Sequence, residues 1–247
     1  MIIKDMIPKI IHCCWFGGTR LPKAVQKYLR IWRKRLPDYE IKIWTEQEFD
    51  ITQANAYVKQ AYECKKFAFV SDYVRLFALY KYGGIYLDTD VEVLKSFDSF
   101  LHHSAFMCFE DYDKLSTAII ATEPNADWVW NLLQGYEERV FLVDGRMDLT
   151  TNVEYITGMF KQYGLKLNGE KQYVQEVIIY PSEYFSPKSW GTGKYTITNN
   201  TVTVHHFAGT WHSPLTRFLS IFFSNKTIIG IAAFKEKLLN CIKNVRA

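Results

Sequence analysis

The chain lacks a disulfide framework. Its five cysteines, Cys13, Cys14, Cys64, Cys108 and Cys241, are odd in number and have no zinc-binding spacing, so free thiols in a reducing compartment are expected. It also lacks linkers: no Pro/Gly/Ser-rich stretch, repeat or low-complexity run divides the 247 residues, and one sizeable core is expected. No secretory leader is expected, because Met1-Ile2-Ile3-Lys4-Asp5 puts charge where an apolar segment belongs. A cytoplasmic location is the expectation. No apolar run reaches the roughly 20 residues of a membrane span. What the chain has in quantity is aromatic: 16 Tyr, 17 Phe and 7 Trp suit an ordered domain with stacking surfaces and exclude a disordered one.

The stretch 67–92 organises the rest. Phe67, Val70, Val74 and Phe77 recur at three- and four-residue steps, which is one buried helical face. Gly83-Gly84 supplies the left-handed conformation that ends helices, and Ile85-Tyr86-Leu87 then reads as a short buried strand. The strand delivers the chain to Asp88-Thr89-Asp90. In an extended segment Asp88 and Asp90 point the same way. Two carboxylates so close repel unless one is protonated or a cation joins them, and oxygen ligands attract Mg²⁺ or Mn²⁺, whose open positions go to water and substrate phosphates. Turn formation is the competing reading for Asp88 and Asp90. Asp72 and Arg75 share a helix face, and a surface ion pair is the competing reading for them.

Elsewhere the pattern alternates. Strands are expected at 7–12, 40–44, 91–94, 105–109, 116–122 and 177–180, and helices at 21–36, 54–64, 125–133 and 153–163. A hairpin turning at Asn199-Asn200 joins Tyr195-Thr196-Ile197 to Val202-Thr203-Val204. Strands alternating with helices predict a mixed, mostly parallel α/β sheet with helices on both faces. Helix 21–36 is rich in Lys and Arg but carries Leu21, Val25, Tyr28, Leu29 and Trp32 as an apolar face, so a solvated surface helix is preferred to a nucleic-acid contact.

The run Ser71-Asp72-x-x-Arg75 with Tyr82-Gly83-Gly84-x-Tyr86-x-Asp88-x-Asp90 resembles the donor-site signature of the Asp-X-Asp sugar-binding glycosyltransferases. That family takes in capsular-polysaccharide and yeast initiating-mannosyltransferase-like members and, more distantly, the glucosylating clostridial toxins. The opening, Ile7-Pro8-Lys9-Ile10-Ile11-His12 and then Trp15-Phe16-Gly17-Gly18, looks like the family's first strand and glycine turn. The resemblance implies a GT-A-like fold and a metal-dependent, retaining transfer of a hexose from a UDP-sugar to a glycan or lipid-linked oligosaccharide. It implies that Trp15 stacks on uracil, that Asp72 and Arg75 hold sugar and phosphate, and that Tyr86 belongs to the donor site. Asp88 would contact ribose and the metal shell, and Asp90 would bind Mn²⁺ or Mg²⁺ directly. His205-His206-Phe207-Ala208-Gly209-Thr210-Trp211 is similar to the family's late metal-binding segment, which places the third ligand at His206 and a phosphate-binding indole at Trp211. Alternation along a strand then turns His205 the other way. By position alone Asn152 and Glu154 are acceptor-side candidates. Glu110 and Asp111 receive no role.

The expected division is a transferase domain over 1–213 and a helical tail over 214–247. The tail holds six basic residues against one acidic, and the rest of the chain 24 against 25, so the whole positive excess lies there. Its apolar residues are interrupted at Ser224-Asn225-Lys226; a helix pair on an anionic membrane surface and a helix packed on the domain both fit. Two other classes stay open: an aspartyl-nucleophile phosphohydrolase, against which Glu92 stands where Thr or Val is expected, and a non-catalytic nucleotide-binding or membrane-adaptor protein.

Overall fold

The computed structural model describes residues 6–208; the tail and Trp211 lie outside the described residues. The first half runs β1 (Ile10–Cys14), α1 (Lys23–Arg35), β2 (Glu40–Trp44), α2 (Ala56–Glu63), α3 (Phe67–Tyr82), β3 (Gly84–Leu87) and β4 (Val91–Val93). The second runs β5 (Ala105–Asp111), β6 (Lys114–Leu115), β7 (Ile119–Thr122), α4 (Asp127–Glu137), β8 (Leu142–Val143), β9 (Arg146–Met147), α5 (Asn152–Gln162), β10 (Gln172–Val174), β11 (Val177–Tyr180), α6 (Ser182–Phe185) and β12 (Thr203–His205).

The main sheet has the order β10-β11-β5-β7-β3-β1-β2, with β6 beside β5. β1 pairs in parallel with β2 and β3, and β5 with β11, while β7 runs antiparallel between β3 and β5. This is the mixed, mostly parallel GT-A-like sheet expected from the sequence. Apolar clusters fill both of its faces, one built around α2, α3 and α4 and the other around α1 and α6. β3 is buried along its length, as a strand covered on both faces must be.

Local chemistry sets the element ends that matter for function. α1 buries Val25, Leu29 and Trp32, and the Trp32 indole donates to the Val91 carbonyl at 2.9 Å, tying that helix to β4. α3 ends at Gly83, which has φ 63°, and Gly84 follows with φ 97°. A Cβ on Gly84 would lie 2.5 Å from the Ile10 carbonyl oxygen, so only glycine lets β3 come up against β1. His12 secures the same junction: its Nε2 lies 2.8 Å from the Gly83 carbonyl, and the Trp44 indole donates to its Nδ1 at 3.1 Å. That pairing fixes the neutral imidazole with its proton on Nε2.

The structure departs from the sequence reading in places. No hairpin forms at Asn199-Asn200; a turn does, but Ile197 is exposed and the following segment pairs antiparallel with β4 instead. Val202 and Val204 are buried by that choice, whereas Tyr195 and Ile197 before the turn stay exposed. β5 continues two residues beyond the expected end, through Glu110 and Asp111. Trp130 is half exposed and leans on Tyr80 rather than joining the core.

Candidate active site

Parallel strands gather their carboxyl ends on one side of a sheet, and ligands bind there in open α/β folds. Here that edge brings together Trp15 after β1, Glu46 after β2 and Asp88 after β3. Asp88 and Asp90 do not continue the strand: the Val91 N–H donates to the Asp88 carbonyl at 3.0 Å and closes a turn across Thr89 and Asp90. The turn, rather than strand alternation, makes the two carboxylates converge. β4 then pairs with β12 in a register that sets His205 opposite Val91. As a result Asp88, Asp90 and His205 each present a ligand atom within 4.8 Å of the others.

Asp90 is enclosed by the chain that follows β12. His205 Nε2 lies 3.3 Å from Asp90 Oδ1, the Ala208 N–H donates to Oδ2 at 2.6 Å, and the His206 N–H donates to the Asp90 carbonyl at 3.2 Å. Burial works to raise the Asp90 carboxyl, but His205 and the Ala208 N–H outweigh it and hold it at about 2. Burial likewise works to lower His205, and the carboxyls of Asp90, Asp88 and Glu110 outweigh it, so the imidazole is raised above its ordinary value.

The expectation for His206 is corrected. Its Nε2 pairs with Glu92 Oε2 at 2.9 Å and its ring stacks on Tyr28 with centroids 5.4 Å apart, so the imidazole that meets the acidic pair is that of His205. Neighbouring residues do face opposite ways, but the pairing of β12 with β4, which the sequence pattern does not reveal, decides which of the two faces Asp90.

Behind the acids sits Arg75. It is only 5% exposed, and its guanidinium reaches Asp72 at 2.8 Å, Asp88 at 3.6 Å and the Thr117 carbonyl at 2.7 Å. The same group lies 4.5 Å from the Tyr86 ring centroid, and the Tyr86 hydroxyl donates to Asp88 Oδ1 at 2.9 Å. Arg75, Asp72 and Tyr86 are therefore an inner wall that orients Asp88, and Asp72 and Arg75 are no surface pair. Burial pushes the Asp72 carboxyl up to about 6, with Arg75 pulling it back. Asn152 and Glu154 serve the framework: Asn152 donates to the Asp72 carbonyl, and Glu154 closes a capping box with Thr151 at the start of α5. Trp15 is half-buried, its indole donating to the Thr19 carbonyl at 2.9 Å. Glu110, given no role from the sequence, has its carboxyl pushed up to about 7, by burial first and then by Asp111 and Asp88, with His205 and Lys114 opposing. A charge closing the buried strand Ala105-Phe106-Met107-Cys108-Phe109 was the available signal.

Residues 22–107 match the family model described as a glycosyltransferase sugar-binding region containing a DXD motif. The DXD region holds Asp72, Arg75, Tyr86, Asp88 and Asp90, and the structure brings His205 to the acidic pair from outside it. Inositol phosphoceramide mannosyltransferase 3 of Schizosaccharomyces pombe is 36% identical over 111 residues, covering 41% of this chain and 29% of that protein. An uncharacterized glycosyltransferase of Acanthamoeba polyphaga mimivirus is 25% identical over 243 residues, 92% of each chain. The chain spans 29% and 40% of the two S. pombe mannosyltransferases, numbers 3 and 2, that it matches. Among solved structures, PaToxG Glycosyltransferase superposes with a TM-score of 0.51 at 22% identity, over 63% of this chain and 68% of that one, a likeness of fold.

Proposed function

We propose that the protein is a metal-dependent, retaining glycosyltransferase that moves a hexose from a UDP-sugar to a hydroxyl of a glycan or lipid-linked oligosaccharide. The observation that carries this reading is the convergence of Asp88, Asp90 and His205 at the carboxyl edge of the sheet, within a DXD region. Two carboxylates and an imidazole that turns Nε2 toward one of them suit Mn²⁺, and Mg²⁺ less well because of the nitrogen. When bound, such an ion supplies positive charge opposite the leaving diphosphate, where charge develops in the transition state.

The chain's own residues supply the rest. Arg75 and Tyr86 hold Asp88 in place, so that little reorganisation is needed when donor arrives. Trp15 offers its ring face to the base. Asp88 and Asp90 are the carboxylates that would meet the donor diphosphate through the ion, and Asp72 supports them from behind through Arg75. Glu110 is close enough to His205 and Asp88 to interact with their charges and is the further carboxyl beside the same site. Action at the cytoplasmic face of a membrane, on a surface polysaccharide precursor, is the setting that the basic tail and the family resemblance favour.

The test is UDP release from a panel of UDP-hexoses with Mn²⁺, with and without EDTA. The names of the S. pombe relatives add a nucleotide-linked mannose to the panel. Metal-dependent release from one donor, lost in Asp90→Asn, is the expected result. Phosphate release from simple monoesters, or no turnover at all, overturns it in favour of a hydrolase or a binding protein.

A further inference from the structure

The loop after β1 is held by a residue outside it. Glu46 Oε1 accepts the Gly17 N–H at 2.7 Å and the Tyr62 hydroxyl at 3.0 Å, so one carboxylate oxygen joins the loop to α2. Burial works to raise that carboxyl, but the N–H groups of Gly17 and Gly18 and the Tyr62 hydroxyl together lower it, as expected for an ionised acceptor. The opposite side of Gly17 is closed by Phe67, at the start of α3: a Cβ there would lie 2.5 Å from the Phe67 ring, and the backbone φ is 101°. Phe67 in turn meets Tyr62 edge to face, with centroids 5.4 Å apart. Gly17 is thus clamped between an aromatic ring and a carboxylate, two residues beyond Trp15.

Trp15 has its own anchors, the Trp44 carbonyl for its N–H at 2.8 Å and the Thr19 carbonyl for its indole. The Thr19 anchor is useful only if the loop between holds its shape, and that is what the clamp secures.

We infer that Glu46 is a positioning residue for donor binding, fixing the loop at 15–18 so that the Trp15 ring is presented to the nucleotide base before the donor arrives. The inference rests on the proposed nucleotide-sugar reading. Preorganisation of this kind shows in affinity, because a loose loop must be ordered when ligand binds. Nothing in the clamp touches the reacting bond, so the chemical step is spared.

The test measures UDP binding by calorimetry, with melting temperature and steady-state rates alongside, for the full chain and its variants. Glu46→Ala is expected to weaken UDP about tenfold, which corresponds to about 1.4 kcal/mol, and to raise KM for the donor while kcat holds. Glu46→Gln keeps an oxygen acceptor and is expected to recover most of the affinity. Equal UDP affinity in the parent and Glu46→Ala overturns the inference, whatever the melting temperatures; so does a loss that Glu46→Gln does not recover in a folded protein. If the parent protein itself fails to bind UDP, the donor reading falls first, and the role of Glu46 falls with it.

Discussion

His205 Nε2 stands 3.3 Å from the Asp90 carboxylate, joining the turn after β3 to the end of β12. A strand pairing from the far half of the chain therefore completes the site, while the neighbouring His206 is engaged by Glu92.

This geometry separates two adjacent histidines. His205→Ala is expected to weaken Mn²⁺ at least as much as losing an outer partner of a ligand does, roughly tenfold or more, and to depress UDP release in step. His206→Ala should leave Mn²⁺ affinity close to the parent value. Titration calorimetry with Mn²⁺ on both variants decides; the reverse ranking returns the ligand to His206.

Tyr86 is 2% exposed, so its hydroxyl acts through Asp88 rather than on solvent. Tyr86→Phe keeps the ring beneath Arg75 and removes one hydrogen bond, costing about 1 kcal/mol of stability. Donor turnover should fall with it, because Asp88 loses an orienting partner. Chemical denaturation and donor kinetics on the same preparation check both parts; unchanged kinetics would reduce Tyr86 to a packing role.

His12 predicts an acid limit to stability. Burial pushes its imidazole down to about 4, opposed by the Gly83 carbonyl; Lys42 adds to the lowering and Glu40 resists it, while the rings of Trp44 and Tyr82 flank it. Below the ordinary pKa of 6.5 the unfolded chain gains a proton that the folded one refuses, so stability is lost as pH falls from about 6.5 and the loss levels off near 4. The full effect is about 3 kcal/mol. An NMR titration should show the His12 ring neutral at pH 5; a midpoint near 6.5 in the folded protein contradicts the account.

Gly84 offers a backbone test. Alanine there would combine φ 97° with a Cβ 2.5 Å from the Ile10 carbonyl oxygen, separating β1 from β3. A loss of about 2 kcal/mol or more is expected, read as a lowered melting temperature. Gly18, with φ 63° and open space around its Cβ, should tolerate alanine better.

Much of this molecule is written in local pattern. The spacing of Val70 and Val74, the glycine pair that stops α3, and the alternation through β2 follow from side-chain size and backbone freedom, which act over a few residues. The Asp72, Arg75, Tyr86, Asp88 and Asp90 set is visible for the same reason, since one helix, one strand and one turn carry all of it. Tertiary structure decided the rest. Whether His205 or His206 faces the acids depends on the register of β12 against β4, and whether Glu46 holds the loop after Trp15 depends on two parallel strands ending side by side. Such pairings bring together residues that no short-range pattern relates, because hydrogen-bond register and burial are satisfied across the sheet rather than along the chain.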